Sequence, residues 1–304
     1  MKSLLFGILF YILSVSASAI GSVELPLPQL PAGMTSPQER AAFIATHFWD
    51  AMDFNDESKA CSQGFIEQNF VNFASVLPVI GDTLRIRESV DTLMRRASVN
   101  RCAYELIIKT AETYLNEADS PMRDEELYIP FLQAVLRDRA IDEASLTRYG
   151  YQLAMAMKNR PGTVATDFDI VTRNGDATTL GALTVDAPLH VVFFYDVECE
   201  HCEEVIARLS RDPIFTEAIS NKKIVATAVY VQGDAGAYSS TPSIIPDGWN
   251  DTMNPDNSVE NRELYYLPGM PTIYLLDNDR YVIAKDISPE RLIETLRACS
   301  SFSQ

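Results

Sequence analysis

The spacing of apolar positions changes character once along the chain, close to residue 160. From Ser36 onward, apolar residues recur at the 3.6-residue period of a helix. Ala41, Ile44, Ala45, Phe48 and Met52 share one face, as do Tyr104, Ile107, Ile108, Ala111 and Leu115, and then Leu146, Tyr149, Leu153, Ala156 and Met157. Ser36 ahead of Pro37 and Glu39 has the make-up of an N-cap, a first-turn proline and an early acid. Strand-like alternation does not interrupt this texture. Residues 36–159 therefore read as an all-α helical domain of about five helices, closed by Arg160-Pro161-Gly162.

Beyond Gly162 strand and helix patterns alternate. Leu189 to Tyr195 is an unbroken apolar run, as a central strand buried on both faces should be, and Cys202 to Leu209 continues as a short helix. Ile224–Val231, Thr272–Leu276 and Tyr281–Ala284 read as further strands, the last two joined through Asp277-Asn278-Asp279-Arg280. Ser288 caps a final helix that has Pro289 in its first turn and runs to Ala298. A β-α-β half followed by a β-β-α half predicts an α/β domain over residues 163–304, with the thioredoxin layout.

The N-terminus adds a destination. Lys2, an apolar stretch from Leu4 to Val15, and Ser16-Ala17-Ser18-Ala19 have the order of a secretory signal, predicting residues 1–19 as a cleavable signal peptide. The apolar run is shorter than the roughly 20 residues that cross a bilayer, and no later segment is apolar enough to do so. Residues 20–35, with Pro26, Pro28 and Pro31, form a Pro-rich segment suited to an extended path. The expected location is periplasmic or otherwise extracytoplasmic. A net charge of −17 disfavours nucleic acid and anionic membrane surfaces as partners, because both require clustered Lys and Arg.

Five cysteines in an exported chain allow two disulfides and one leftover thiol. Cys199 and Cys202 stand together after the apolar strand, at the start of a helix. A helix N-terminus presents free N–H groups and partial positive charge, which stabilise a thiolate on the first cysteine. The second cysteine, one turn on, is placed to attack a mixed disulfide. Cys199 is thus the candidate nucleophile and Cys202 the resolving thiol. Half a zinc site would need a second ligand pair, which the sequence lacks, and a structural bond across three residues closes too small a loop to stabilise much. No metal and no cofactor are called for.

Gly269-Met270-Pro271-Thr272 directly precedes the strand Ile273–Leu276. Here the chain resembles thioredoxin-fold proteins, in which a cis-proline precedes the strand beside the active site. Pro271 matches that proline, and Met270 the neighbour whose backbone pairs with bound substrate. Within the superfamily the chain is most similar to the exported TlpA and ResA group of thiol reductases, through Gly162 to Phe168 with Gly175 and Leu180 following, which resemble their lead-in hairpin. The stretch with Arg40-Ala41-Ala42 and His47-Phe48-Trp49-Asp50 is similar to an uncharacterised helical domain that precedes such domains in some exported bacterial proteins.

The chain departs from the group at several positions. Glu198 stands where Trp usually precedes the first cysteine, and Glu200-His201 replaces Gly-Pro or Glu-Pro between the cysteines. Val205 occupies the position of the ResA-type acid, and Phe193 that of thioredoxin's buried Asp. His201 as an imidazolium would favour the dithiol and push the site toward oxidant; as a passive surface residue it would do nothing. Glu198, Glu200, Glu203 and Glu204 act the other way, raising the thiol pKa and making the dithiol a better reductant. Glu200 and His201 are therefore the candidate modulating residues.

The reading that results is a reductase of disulfide-containing exported proteins, recharged by an external electron donor. An oxidase or isomerase, and a binding module with a structural CxxC, are the alternatives. Cys61 and Cys102 are expected to form a structural disulfide: with Gln63–Leu77 helical, a turn at Pro78–Asp82 and helix running back from Thr83, the two fall at nearly the same level. Two separate buried thiols are the competing reading. Cys299 is expected to be unpaired and without redox role. His47 and Trp49 read as packing residues, His190 as packing or capping, and Trp249 as either lining a groove or anchoring its loop. Asn250-Asp251-Thr252 matches a glycosylation acceptor pattern.

Overall fold

The structure is a computed structural model that describes residues 24–117, 119–183 and 187–301, the last three by backbone alone. The expected signal peptide lies outside the described residues, as does the side chain of Cys299. The chain divides into two compact units, one ending at Asp138 and one beginning at Arg139.

The first unit is helical: α1 (Pro37–His47), α2 (Glu57–Ala60), α3 (Gln63–Ile80), α4 (Thr83–Ala97), α5 (Arg101–Leu115) and α6 (Glu125–Val135). Side-chain caps start most of these elements, with Ser36, Asp56, Asp82, Asn100 and Asp124 each accepting from a backbone N–H of the first turn. The core is aromatic, with Phe48 and Trp49 against Phe73, and Phe70 against Phe131. Pro78, expected to open a turn, sits inside the last turn of α3, and the helix ends instead at Gly81, whose φ of +67° is a left-handed conformation. The Pro-rich segment is fixed at Leu25, whose N–H donates to Asn69 Oδ1 at 2.7 Å.

The second unit opens with α7 (Glu143–Ala156). Lys285 Nζ donates to the Met155 and Ala156 carbonyls at its C-terminus, and Asn159 Nδ2 donates to Leu264 O at 2.9 Å. A seven-stranded sheet follows, with β1 (Asp169–Thr172), β2 (Ala177–Thr179), β3 (Leu189–Tyr195), β4 (Ile224–Tyr230), β5 (Asn250–Met253), β6 (Thr272–Asp277) and β7 (Val282–Ala284) in the order β2-β1-β5-β4-β3-β6-β7. β4 lies parallel to β3 and β5, and the remaining pairs are antiparallel. Helices α8 (Glu200–Arg211), α9 (Pro213–Ser220), α10 (Ala235–Ser240), α11 (Ser258–Asn261) and α12 (Pro289–Ser301) complete it.

Alternation along β3 builds two core layers. Val191, Phe193 and Tyr195 pack with Cys202, Ile206 and Leu209 of α8, Phe215 of α9 and Leu292 of α12. Val192 and Phe194 pack on the other face with Phe168, Leu180, Val259 and Tyr265. Burial of β3 on both faces from His190 to Tyr195 explains its apolar sequence, which only His190 interrupts. The β3-α8-α9-β4 half and the β6-β7-α12 half give the thioredoxin-like α/β arrangement, and the central strand delivers its C-terminal end to the cysteines.

Candidate active site

The turn from β3 into α8 positions Cys199. Asp196 organises it: its Oδ1 accepts from Glu198 N at 2.9 Å, and its carbonyl accepts from Cys199 N at 3.3 Å. Cys199 is the N-cap of α8, with extended backbone (φ −89°, ψ 103°), and its Sγ accepts from the Cys202 N–H at 3.1 Å. That is an N-cap in which sulfur takes the role usually held by Ser or Asp. Cys199 and Cys202 are joined as a disulfide with a Cα–Cα distance of 5.2 Å. Cys202 is 0% exposed whereas Cys199 is half-buried, so Cys199 is the sulfur open to a partner. On reduction the same N–H and the helix dipole favour a thiolate on Cys199.

The Met270–Pro271 peptide bond is cis, and Met270 O lies 3.6 Å from Cys199 Sγ. Thr272 Oγ1 donates to Gly269 O at 2.6 Å and holds the loop ahead of β6. Because Thr272 is the register partner of Phe194, the proline loop and the cysteine turn emerge side by side from adjacent strands. Residues separated by some seventy positions are thereby brought together.

The charged residues of the motif face water. Glu198, Glu200, His201, Glu203 and Glu204 are all exposed, and His201 Nδ1 lies 3.4 Å from Glu204 Oε2. At such exposure solvent screens these charges. The two positions at which the resemblance to thioredoxin and to the ResA type would put an acid hold buried apolar groups: Phe193 packs on Trp249 at 5.8 Å, and Val205 lies in the core.

A crystal structure of a thioredoxin-like protein from Bacteroides caccae superposes with a TM-score of 0.81 at 28% identity, covering 90% of this chain and 98% of that one. This chain is a thioredoxin-like protein. Residues 12–159 match a family model described as a domain of unknown function, DUF5106, so the matched stretch includes α7. A conserved protein of unknown function from Bacteroides fragilis is 33% identical, with a TM-score of 0.43, over 45% of this chain and 98% of its own. The thioredoxin domain of a thiol-disulfide oxidoreductase from Bacteroides vulgatus is 20% identical, with a TM-score of 0.38, over 46% of this chain and 96% of its own. No curated protein gives a significant match.

In the helical unit a disulfide joins Cys61, the C-cap of α2, to Cys102, the second residue of α5; the Cα–Cα distance is 5.6 Å and both residues are exposed. The return arm is not one helix. It breaks after Ala97, and Asn100 restarts it by capping α5. His47 pairs with Asp50 at 2.8 Å, and Trp49 is buried in the aromatic core. Trp249 packs against Phe193 and Phe215 and anchors its loop. His190 is buried, with Nε2 2.8 Å from Thr227 Oγ1 and Nδ1 without a partner, and burial depresses its pKa to about 4.

The glycosylation pattern Asn250-Asp251-Thr252 falls on β5. Asn250 donates to Thr227 Oγ1 at 3.1 Å, and the buried Thr252 hydroxyl donates to Ala228 O at 2.8 Å, both within β5. The residue between them, Asp251, carries a network that sequence reasoning missed. Its carboxylate accepts from Tyr195 OH (3.1 Å), Tyr238 OH (2.8 Å), Ser243 Oγ and Arg173 Nε (2.6 Å). Burial, with the Asp251 charge adding to it, pushes the Tyr195 and Tyr238 hydroxyls well above the usual phenol range. Tyr195 ends β3 four residues before Cys199, so this network holds the strand that carries the site. Among the described residues no cluster of His, Cys, Asp and Glu could hold a metal ion.

Proposed function

We propose that this protein reduces disulfides of exported, extracytoplasmic proteins by dithiol exchange through Cys199 and Cys202. The observation that carries the reading is the half-buried Cys199 sulfur at the N-cap of α8, 3.6 Å from the carbonyl of a residue preceding a cis-proline. In the first step the Cys199 thiolate attacks a partner disulfide, forming a mixed disulfide, and the partner's other sulfur leaves and takes up a proton. In the second, Cys202 loses its proton and attacks Cys199 Sγ. This releases the second partner thiol and leaves the Cys199–Cys202 disulfide, two electrons having passed to the partner. An external electron donor then restores the dithiol. Met270 O is placed to accept from a partner backbone N–H while the sulfurs exchange. The acids Glu198, Glu200, Glu203 and Glu204 raise the thiol pKa values and so favour the disulfide form of the protein. His201 Nδ1 lies 3.4 Å from Glu204 Oε2.

Export is inferred from the Lys2-to-Ala19 segment. No helix among the described residues is long and apolar enough to cross a membrane. The direction of transfer is tested by equilibrating the pair with glutathione buffers: a potential on the reducing side of about −200 mV fits, and one near about −120 mV, the value of a strong oxidant, overturns it.

A further inference from the structure

The turn that carries Cys199 has the proline loop on one side and the end of β4 on the other, because β6 and β4 flank β3 on opposite sides. β4 ends at Tyr230, the register partner of Tyr195, and the Tyr230 ring lies in the core layer that contains Cys202 and against which Cys199 packs. The ring is 3% exposed and is fixed by stacking on Tyr238, with centroids 5.8 Å apart and planes within 7°. The Tyr195 and Tyr238 hydroxyls donate to Asp251, whereas the Tyr230 hydroxyl has no partner among the described residues. Four carboxylates gather around it. Asp196 and Glu198 belong to the cysteine turn, Glu198 directly preceding Cys199. Asp234 caps α10, and Glu260 lies in α11. The fully buried Asn254 ties these elements to the strand: its N–H donates to Tyr230 O at 2.9 Å, and its Oδ1 accepts from Val259 N at 2.9 Å. At Gly233, where φ is +69°, a Cβ would meet Asn257 Cβ at 2.7 Å, so the loop after β4 packs directly on the loop before α11. Asp196 and Glu260 are half-buried, and none of the four carboxylates has an ion pair among the described residues. Burial, and after it the charges of Asp196, Asp234, Glu198 and Glu260, push the pKa of the hydroxyl above the usual phenol value.

We propose that Tyr230 and these carboxylates form a subsite for a cationic side chain, lysine or arginine, of the disulfide-bearing partner, close to the partner's reactive cysteine. The inference rests on the exchange reaction proposed above. The N–H groups of an ammonium or guanidinium satisfy the unpartnered hydroxyl oxygen and the unpaired carboxylates together, which a neutral side chain does not do and an acidic one opposes. Neighbouring strands lie about 4.8 Å apart and an extended chain advances about 3.3 Å per residue. A partner that pairs with Met270, passes Cys199 and continues over the ends of β4 and β5 therefore brings its second or third residue beyond the cysteine to Tyr230. The proline loop holds the partner's backbone on one side of the exchanging sulfurs, and this subsite reads one side chain on the other.

The test uses the reduced full-length protein and synthetic peptides, each with one cysteine bound to uncharged 2-thiopyridine as a mixed disulfide. Exchange oxidises the protein dithiol and yields the peptide thiol and 2-thiopyridone, whose absorbance gives the rate. Peptides carry Lys, Ala or Glu at the second or third position from the cysteine, on its N-terminal or C-terminal side; 2,2′-dithiodipyridine, which has no peptide, reports the exchange itself. Each peptide rate is divided by the rate of the same protein with this small disulfide, so that changes at the sulfurs cancel. In one of these placements the Lys peptide should react about tenfold faster than its Ala counterpart, the scale of one charge-assisted hydrogen bond, and the Glu peptide more slowly than either. Tyr230→Phe should lower the Lys-to-Ala ratio severalfold, and Asp234→Asn combined with Glu260→Gln should bring it toward unity. Equal normalised rates for all peptides, with the small disulfide still consumed, would overturn the subsite alone. So would a preference for Lys that both variants retain, since attraction by the overall charge of −17 would then suffice. No consumption of the small disulfide would remove the exchange reading itself.

Discussion

Acidification should unfold the thioredoxin-like unit earlier than its carboxylates alone require, because of His190. This imidazole is buried in β3, with one nitrogen on Thr227 and the other unpartnered, and its pKa falls from 6.5 to about 4 through desolvation. The unfolded chain therefore binds a proton near pH 6.5 that the folded chain accepts only near pH 4, so this contribution is present in full above pH 6.5 and is lost as pH falls. Linkage over that interval gives a loss of about 2 kcal/mol between pH 7 and pH 5, and about 3 kcal/mol by pH 4. Urea unfolding followed by Trp249 fluorescence, with Trp49 replaced by Phe, reads this unit. His190→Gln removes the titration and should flatten the pH dependence by those amounts, whatever constant cost the substitution adds. Parallel profiles for the two proteins, within about 0.5 kcal/mol, would refute the reasoning.

Three further outcomes follow from single features. Cys61→Ser opens a loop of sequence separation 41 and should destabilise the helical unit, by about 4 kcal/mol on loop-entropy grounds, as read by denaturation followed at Trp49; a shift under about 1 kcal/mol would show that the bond constrains little. Asp251→Ala leaves Arg173 Nε and two tyrosine hydroxyls without their acceptor, and should cost about 3 kcal/mol in unfolding experiments, with Asp251→Asn costing less; equal small losses would contradict the network's role. Production in a glycosylating host should give a protein whose intact mass shows no glycan at Asn250, since Thr252 is buried; a glycan there would contradict the pairing of β5 with β4.

The central elements were legible because each combines a continuous apolar run with local punctuation. Leu189–Tyr195 is apolar but for His190 because both its faces are covered, and Pro37 and Pro289 occupy first helical turns where no N–H is needed. The short strands were not legible. β5 reads Asn-Asp-Thr-Met, polar enough to pass for a loop, and only the tertiary partners of Asn250, Asp251 and Thr252 make it a strand. Pro78 misled in the opposite sense: a breaker by composition, it sits close enough to the end of α3 for the helix to run on to Ile80. At the site, Cys199-Cys202 and Met270-Pro271 were visible as contiguous motifs with a fixed place in the strand order. The Asp251 network was not, because its members come from Arg173, Tyr195, Tyr238 and Ser243, and folding alone brings those side chains to one carboxylate.

The central claim, that Cys199 attacks and Cys202 resolves, is tested most directly by incubating the reduced Cys202→Ser protein with a disulfide-bonded protein and mapping the adducts by mass spectrometry. The account predicts a stable mixed disulfide through Cys199, absent when Cys199 is also replaced by Ser. No adduct, or one formed through another cysteine with Cys199 left free, would contradict it.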